Sequence, residues 1–67
     1  MTRTDVTVVG MTCEHCVASV TEELSTLAGV EQVEVSLLTG AVTITSAEPL
    51  DPADVESAVA EAGYALA

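Results

Sequence analysis

Two thiols carry most of the chemical potential of this chain. Cys13 and Cys16 flank Glu14 and His15 in the run Gly10-Met11-Thr12-Cys13-Glu14-His15-Cys16. Two intervening residues let both sulfurs converge on one point where a chain turns into a helix. A helix N-terminus presents unpaired N–H groups and partial positive charge, which favours thiolate over thiol. Thiolate both binds soft metals and attacks disulfides, so the spacing alone leaves metal binding and redox exchange open. Two sulfurs suffice for Cu(I), whereas Zn²⁺ prefers four ligands and the chain has no second cysteine pair. Thr12 stands where a carboxylate would have favoured a harder ion. The imidazole of His15 and the thioether of Met11 are candidate third ligands.

The elements that must position these groups alternate along the chain. Val6-Thr7-Val8-Val9 reads as a strand closed by Gly10. From Cys16 the period changes, and Val17, Val20, Leu24 and Leu27 form the stripe of an amphipathic helix, with Gly29 expected as its left-handed cap. Val33, Val35 and Leu37, then Val42 and Ile44, predict a hairpin turning at Thr39-Gly40. Asp51 before Pro52 marks a helix start, and Val55, Ala58, Val59 and Ala62 give a second stripe. Gly63 ends it, leaving Tyr64–Ala67 for a short last strand. The order β-α-β-β-α-β predicts an α+β, ferredoxin-like sandwich: a four-stranded antiparallel sheet with two helices on one face. Faint similarity between the halves, Val6-Thr7-Val8 against Val42-Thr43-Ile44, agrees with two βαβ units.

Composition narrows the partners. Sixty-seven residues make a single domain, 1–67, and eleven acids against Arg3 alone give a net charge of -10. Phosphate neutralisation needs Lys and Arg, and single-strand stacking needs aromatic rings, yet Tyr64 is the only one. Neither nucleic acid nor an anionic membrane surface is expected as a partner. The longest stretch without charge, Val35 to Ala47, is too short and polar to span a bilayer, and no signal peptide is evident at Met1. The expectation is a soluble cytoplasmic protein, in whose reducing surroundings two close cysteines point to metal or catalysis more than to a structural disulfide.

Gly10-Met11-Thr12-Cys13-x-x-Cys16 after a strand, in a β-α-β-β-α-β frame, resembles the heavy-metal-associated domain family. The resemblance extends to Gly29-Val30, the Thr39-Gly40 turn and Gly63-Tyr64. Its members include small cytosolic copper chaperones and the amino-terminal domains of copper-transporting P-type ATPases, with mercury-binding relatives. The resemblance implies that Cys13 and Cys16 are the metal ligands and that Met11 packs inward to support the loop. It places Tyr64 beside the site, as in bacterial copper chaperones. In its near absence of basic residues the chain departs from the family's usual pattern.

The function expected is that of a Cu(I) carrier, not an enzyme, which passes its ion to the cysteine pair of a copper-transporting P-type ATPase or another acceptor. The reading frame starting at Met1 favours a free-standing chaperone. The alternatives are a thiol–disulfide oxidoreductase, or a zinc- or mercury-handling module of the same fold. Against the former stands the lack of the aromatic and Pro residues that accompany thioredoxin-type sites. A two-coordinate ion remains open to a third sulfur, so a copper-bridged homodimer is also expected, with His15 a further contact across its interface.

Overall fold

The computed structural model describes residues 1–67. Its elements are β1 (Thr2–Val9), α1 (Glu14–Ser25), β2 (Val30–Val35), β3 (Ala41–Ser46), α2 (Pro52–Glu61) and β4 (Ala65–Leu66). The four strands form one antiparallel sheet in the order β2-β3-β1-β4. This is the expected ferredoxin-like arrangement. Alternate strand residues Val8, Val42 and Ile44 turn inward and meet Val20 and Leu24 of α1 and Val55, Ala58 and Val59 of α2. The other sheet face stays exposed, with Arg3, Asp5 and Thr43 linked across it: Thr43 Oγ1 donates to Asp5 Oδ1 at 2.9 Å, and Arg3 Nε at 3.2 Å.

The bounds of β1, β2 and α1 differ from the sequence pattern, and β4 is shorter, Ala65–Leu66 instead of Tyr64–Ala67. β1 starts at Thr2, ahead of the apolar Val6–Val9 alternation, because β3 runs alongside it from Thr2↔Ser46 to Thr7↔Ala41. Backbone pairing there is indifferent to side-chain polarity. β2 begins at Val30 and stops at Val35, so Leu37 falls in the turn instead of the strand. A bulge between Val30 and Gln32 inserts one residue, which is why Val30 and Val33 pack inward at an odd spacing. α1 begins two residues before Cys16 and is capped by Thr26. Gly29 does take a left-handed φ of +85°, but three residues beyond that cap, in the turn leading to β2.

α2 follows its sequence signals closely. The Asp51 carboxylate accepts the Ala53 N–H at 2.9 Å, and Pro52 occupies the first turn. At the other end the Gly63 N–H reaches Ala60 O at 2.9 Å and the Tyr64 N–H reaches Val59 O at 3.1 Å. This paired closure around a left-handed glycine, φ +94°, reverses the chain in one step. It delivers Tyr64 to the end of the sheet where β1 finishes and α1 starts.

Candidate metal centre

β1 points its C-terminal end at the cysteine segment, and α1 runs back from it. Gly10, at φ +94°, makes the bend out of β1, a conformation that L residues rarely adopt. Met11 is half-buried and packs against the core, while Thr12 is exposed. Cys13 then sits at the N-cap of α1 in extended backbone, φ -156° and ψ 173°. Its carbonyl accepts the N–H groups of Cys16 at 3.0 Å and Val17 at 3.3 Å. Its side chain caps nothing, which leaves the sulfur free to face the other thiol.

The two Sγ atoms stand 3.6 Å apart, both as free cysteines. Cys13 is exposed and Cys16 half-buried. Thr12 Oγ1 lies 3.9 Å from Cys16 Sγ. The Thr12 backbone N–H, then the Tyr64 hydroxyl, then the Cys13 backbone hold the Cys16 thiol down to about 6, from an ordinary value of 9.0. Conversely, the Cys16 sulfur is the main cause pushing the Tyr64 hydroxyl above its usual value. Half of the pair is therefore poised as thiolate near neutral pH, the state that ligates soft metals.

Of the residues singled out in the sequence, the structure gathers Thr12, Cys13, Cys16 and Tyr64 and sets Met11 beneath them. His15 is exposed on the first turn of α1, where its carbonyl accepts from Ser19 Oγ at 3.1 Å. No third His, Cys, Asp or Glu joins the two sulfurs in a cluster. Two contacts at this end were not legible beforehand. The Tyr64 ring lies against Gly10, and Gly40 lies against Val8. The resemblance puts Tyr64 beside the site, but Gly10 reads from sequence only as the close of a strand and Gly40 only as part of a turn. Charge thins out here as well: of the eleven acids, Glu14 starts α1 and Glu61 ends α2 at this end, and Asp5 and Glu34 stand at mid-sheet opposite Thr43.

A family model for the heavy-metal-associated domain matches residues 5–65. The chain belongs to the heavy-metal-associated domain family. Among relatives of this heavy-metal-associated domain, the copper chaperone CopZ of Bacillus subtilis (strain 168) is 36% identical over 59 residues, which cover 87% of this chain and 86% of that protein. Copper-transporting ATPase 1 of Rhizobium meliloti (strain 1021) is 42% identical over 55 residues, 82% of this chain but 7% of the ATPase. A solved CopZ metallochaperone superposes with a TM-score of 0.91 at 25% identity, covering 98% of this chain and 100% of that one. No helix of this heavy-metal-associated domain is long and apolar enough to cross a membrane.

Proposed function

We propose that this chain is a copper chaperone that carries Cu(I) between the sulfurs of Cys13 and Cys16. The observation that carries the reading is a pair of thiols 3.6 Å apart with no His, third Cys, Asp or Glu clustered beside them. A soft monovalent ion is content with two sulfurs, whereas zinc would lack half its shell. Exposed Cys13 keeps one side of the ion reachable. Release then proceeds by exchange. A thiolate of the acceptor adds to copper, giving a three-sulfur intermediate, and one of the two cysteines leaves and takes up a proton. Copper stays Cu(I) throughout and no electron moves.

The similarity to a copper chaperone over nearly its whole length, and to a short part of a copper-transporting ATPase, supports an acceptor of the ATPase kind. In this reading residues 1–67 act as one carrier domain in the cytoplasm, where thiols stay reduced, and catalyse no reaction. Disulfide exchange fits the site less well. The chain lacks the aromatic and Pro residues that accompany a thioredoxin-type site: Tyr64 is its single aromatic residue, and neither Pro49 nor Pro52 lies near the thiols in sequence.

Anaerobic loading with Cu(I), Zn²⁺ and Hg²⁺, followed by metal analysis, tests the reading. One Cu(I) per chain, resisting a strong chelator, is expected. Cys13→Ser and Cys16→Ser should each abolish that tight binding, because no other thiol can substitute. A single variant that keeps its copper, or a wild type that prefers zinc, sinks it. A disulfide-reductase assay on the reduced protein closes the alternative.

A further inference from the structure

The loop that bears the cysteines is held from two sides by glycines that other parts of the chain touch closely. On one side the Tyr64 ring covers Gly10, its Cδ1 3.3 Å from where a Cβ would be. On the other side is Gly40, the last residue of the β2–β3 turn. Its carbonyl accepts the Val8 N–H at 2.8 Å. A Cβ on Gly40 would stand 2.5 Å from the Val8 carbonyl oxygen, a separation no real contact tolerates. The turn therefore rests directly on the backbone of β1, five positions before Cys13 in the chain.

Val8 is tied in on both sides, so a shift of its backbone is passed along β1. Its side chain is 3% exposed in the core, and its backbone is in register with Leu66 of β4. The turn is closed on itself too, since the Gly40 N–H donates to Ser36 O at 2.8 Å and the Ser36 N–H to Ala41 O at 2.8 Å. Two stiff pieces of backbone meet with no side chain between them. Any atom added there must lift the turn or displace Val8, Val9 and Gly10. The second course shifts the loop against Tyr64, and so alters how the two sulfurs face each other.

We infer that Gly40 is a positioning residue for the metal loop, setting the placement of Cys13 and Cys16 through its bare backbone contact with Val8. The inference rests on the copper-carrier reading for its consequence and on the geometry for its cause. A loop set correctly holds the two sulfurs at the separation the ion needs, without an ordering cost on binding. A loop displaced at its root pays that cost with every ion.

Gly29 supplies a matched control. It also has a left-handed φ, +85°, but nothing lies within 4 Å of its would-be Cβ. Gly29→Ala and Gly40→Ala thus impose similar backbone strain, and only the second presses on β1. Cu(I) affinity is measured by chelator competition. The metal-free reduced proteins are compared by the NMR amide shifts of Met11 to Cys16. Gly40→Ala should move those amide signals and weaken Cu(I) binding by about 10- to 100-fold, the range that loss of an outer support costs a metal site. Gly29→Ala should leave both unchanged. Should Gly40→Ala fail to fold, a chain synthesised with an ester in place of the Val8 amide deletes the N–H donor and adds no atom. It should still shift the loop signals. Equal behaviour of the two alanine variants, or an ester chain with unmoved loop signals, overturns the inference. Failure of the wild type to bind Cu(I) would instead overturn the carrier reading, while the amide shifts would still report on Gly40.

Discussion

The Tyr64 ring meets the backbone at Gly10, with the ring's Cδ1 3.3 Å from the point a Cβ on the glycine would occupy. Tyr64 thus backs the cysteine loop with its ring and faces Cys16 with its hydroxyl. The two roles separate by mutation. Tyr64→Phe keeps the ring and, below about pH 6 where the Cys16 thiol is protonated, should change stability by less than about 0.5 kcal/mol. It should raise the pH midpoint of Cys16 alkylation above about 6. Gly10→Ala must hold a left-handed φ at a cost of about 1–2 kcal/mol and push the ring aside. Both thermal stability and the alkylation midpoint should then change. An alkylation midpoint unmoved in Tyr64→Phe would remove the hydroxyl from the account.

Stability of the reduced, metal-free protein should rise with pH. The Cys16 thiol ionises near 6 when folded and near 9.0 when its neighbours are gone. Between those values the unfolded chain holds a proton that the folded chain has released, so raising the pH favours folding. The contribution is fully present above about 9 and is lost as pH falls through about 6. Denaturant midpoints taken across this window should climb for the wild type and climb less for Cys16→Ser. A flat wild-type profile contradicts it.

Asp51→Ala should cost about 1 kcal/mol, the usual loss for an N-cap side chain. The lost bond is the one from the Ala53 N–H, at the end of α2 remote from the thiols. Cu(I) affinity should stay at the wild-type value. Urea unfolding and chelator competition on the same sample read the two effects separately, and a large drop in affinity would show that strain passes along α2 to Tyr64.

Copper should draw two chains together at their cysteine ends. Cys13 is exposed and, of the acids, Glu14 and Glu61 stand at that end, so two sites approach with little repulsion. The remaining charge is screened beyond about 8 Å at physiological salt. Sedimentation should find a monomer without metal and a reversible dimer or larger species at one Cu(I) per chain or more, increasing with salt. His15→Ala should weaken the association while sparing binding to one chain. A strict monomer at all loadings and concentrations rules the bridge out.

The fold was legible wherever a local signal coincided with a global need. Asp51-Pro52 and Gly63 each announce a helix end by chemistry that involves only their neighbours. Cys13 and Cys16 were legible for the same reason, since three residues of helix bring their sulfurs together without help from elsewhere. What stayed hidden depends on partners distant in sequence. Thr2 to Asp5 look like a polar tail, and only β3 alongside makes them strand. The bulge before Gln32 breaks the alternation that would have marked β2. Gly10 and Gly40 read as turn residues, whereas their lack of a side chain serves the close approach of Tyr64 and Val8.

The uneven placement of the acids makes the chain a permanent electric dipole. Glu14 and Glu61 are at the cysteine end, Asp5 and Glu34 stand at mid-sheet opposite Thr43, and most of the other carboxylates lie toward the far end, so the cysteine end is less negative than the rest. Near a negatively charged surface the molecule as a whole is pushed back, but it also feels a torque that swings the acid-rich end outward. It therefore meets such a surface thiols first. A basic surface does the reverse, drawing the chain in quickly and turning the cysteines away. Attraction and correct orientation favour opposite signs of partner, and an acceptor that is locally acidic around its own thiols trades speed of encounter for productive collisions.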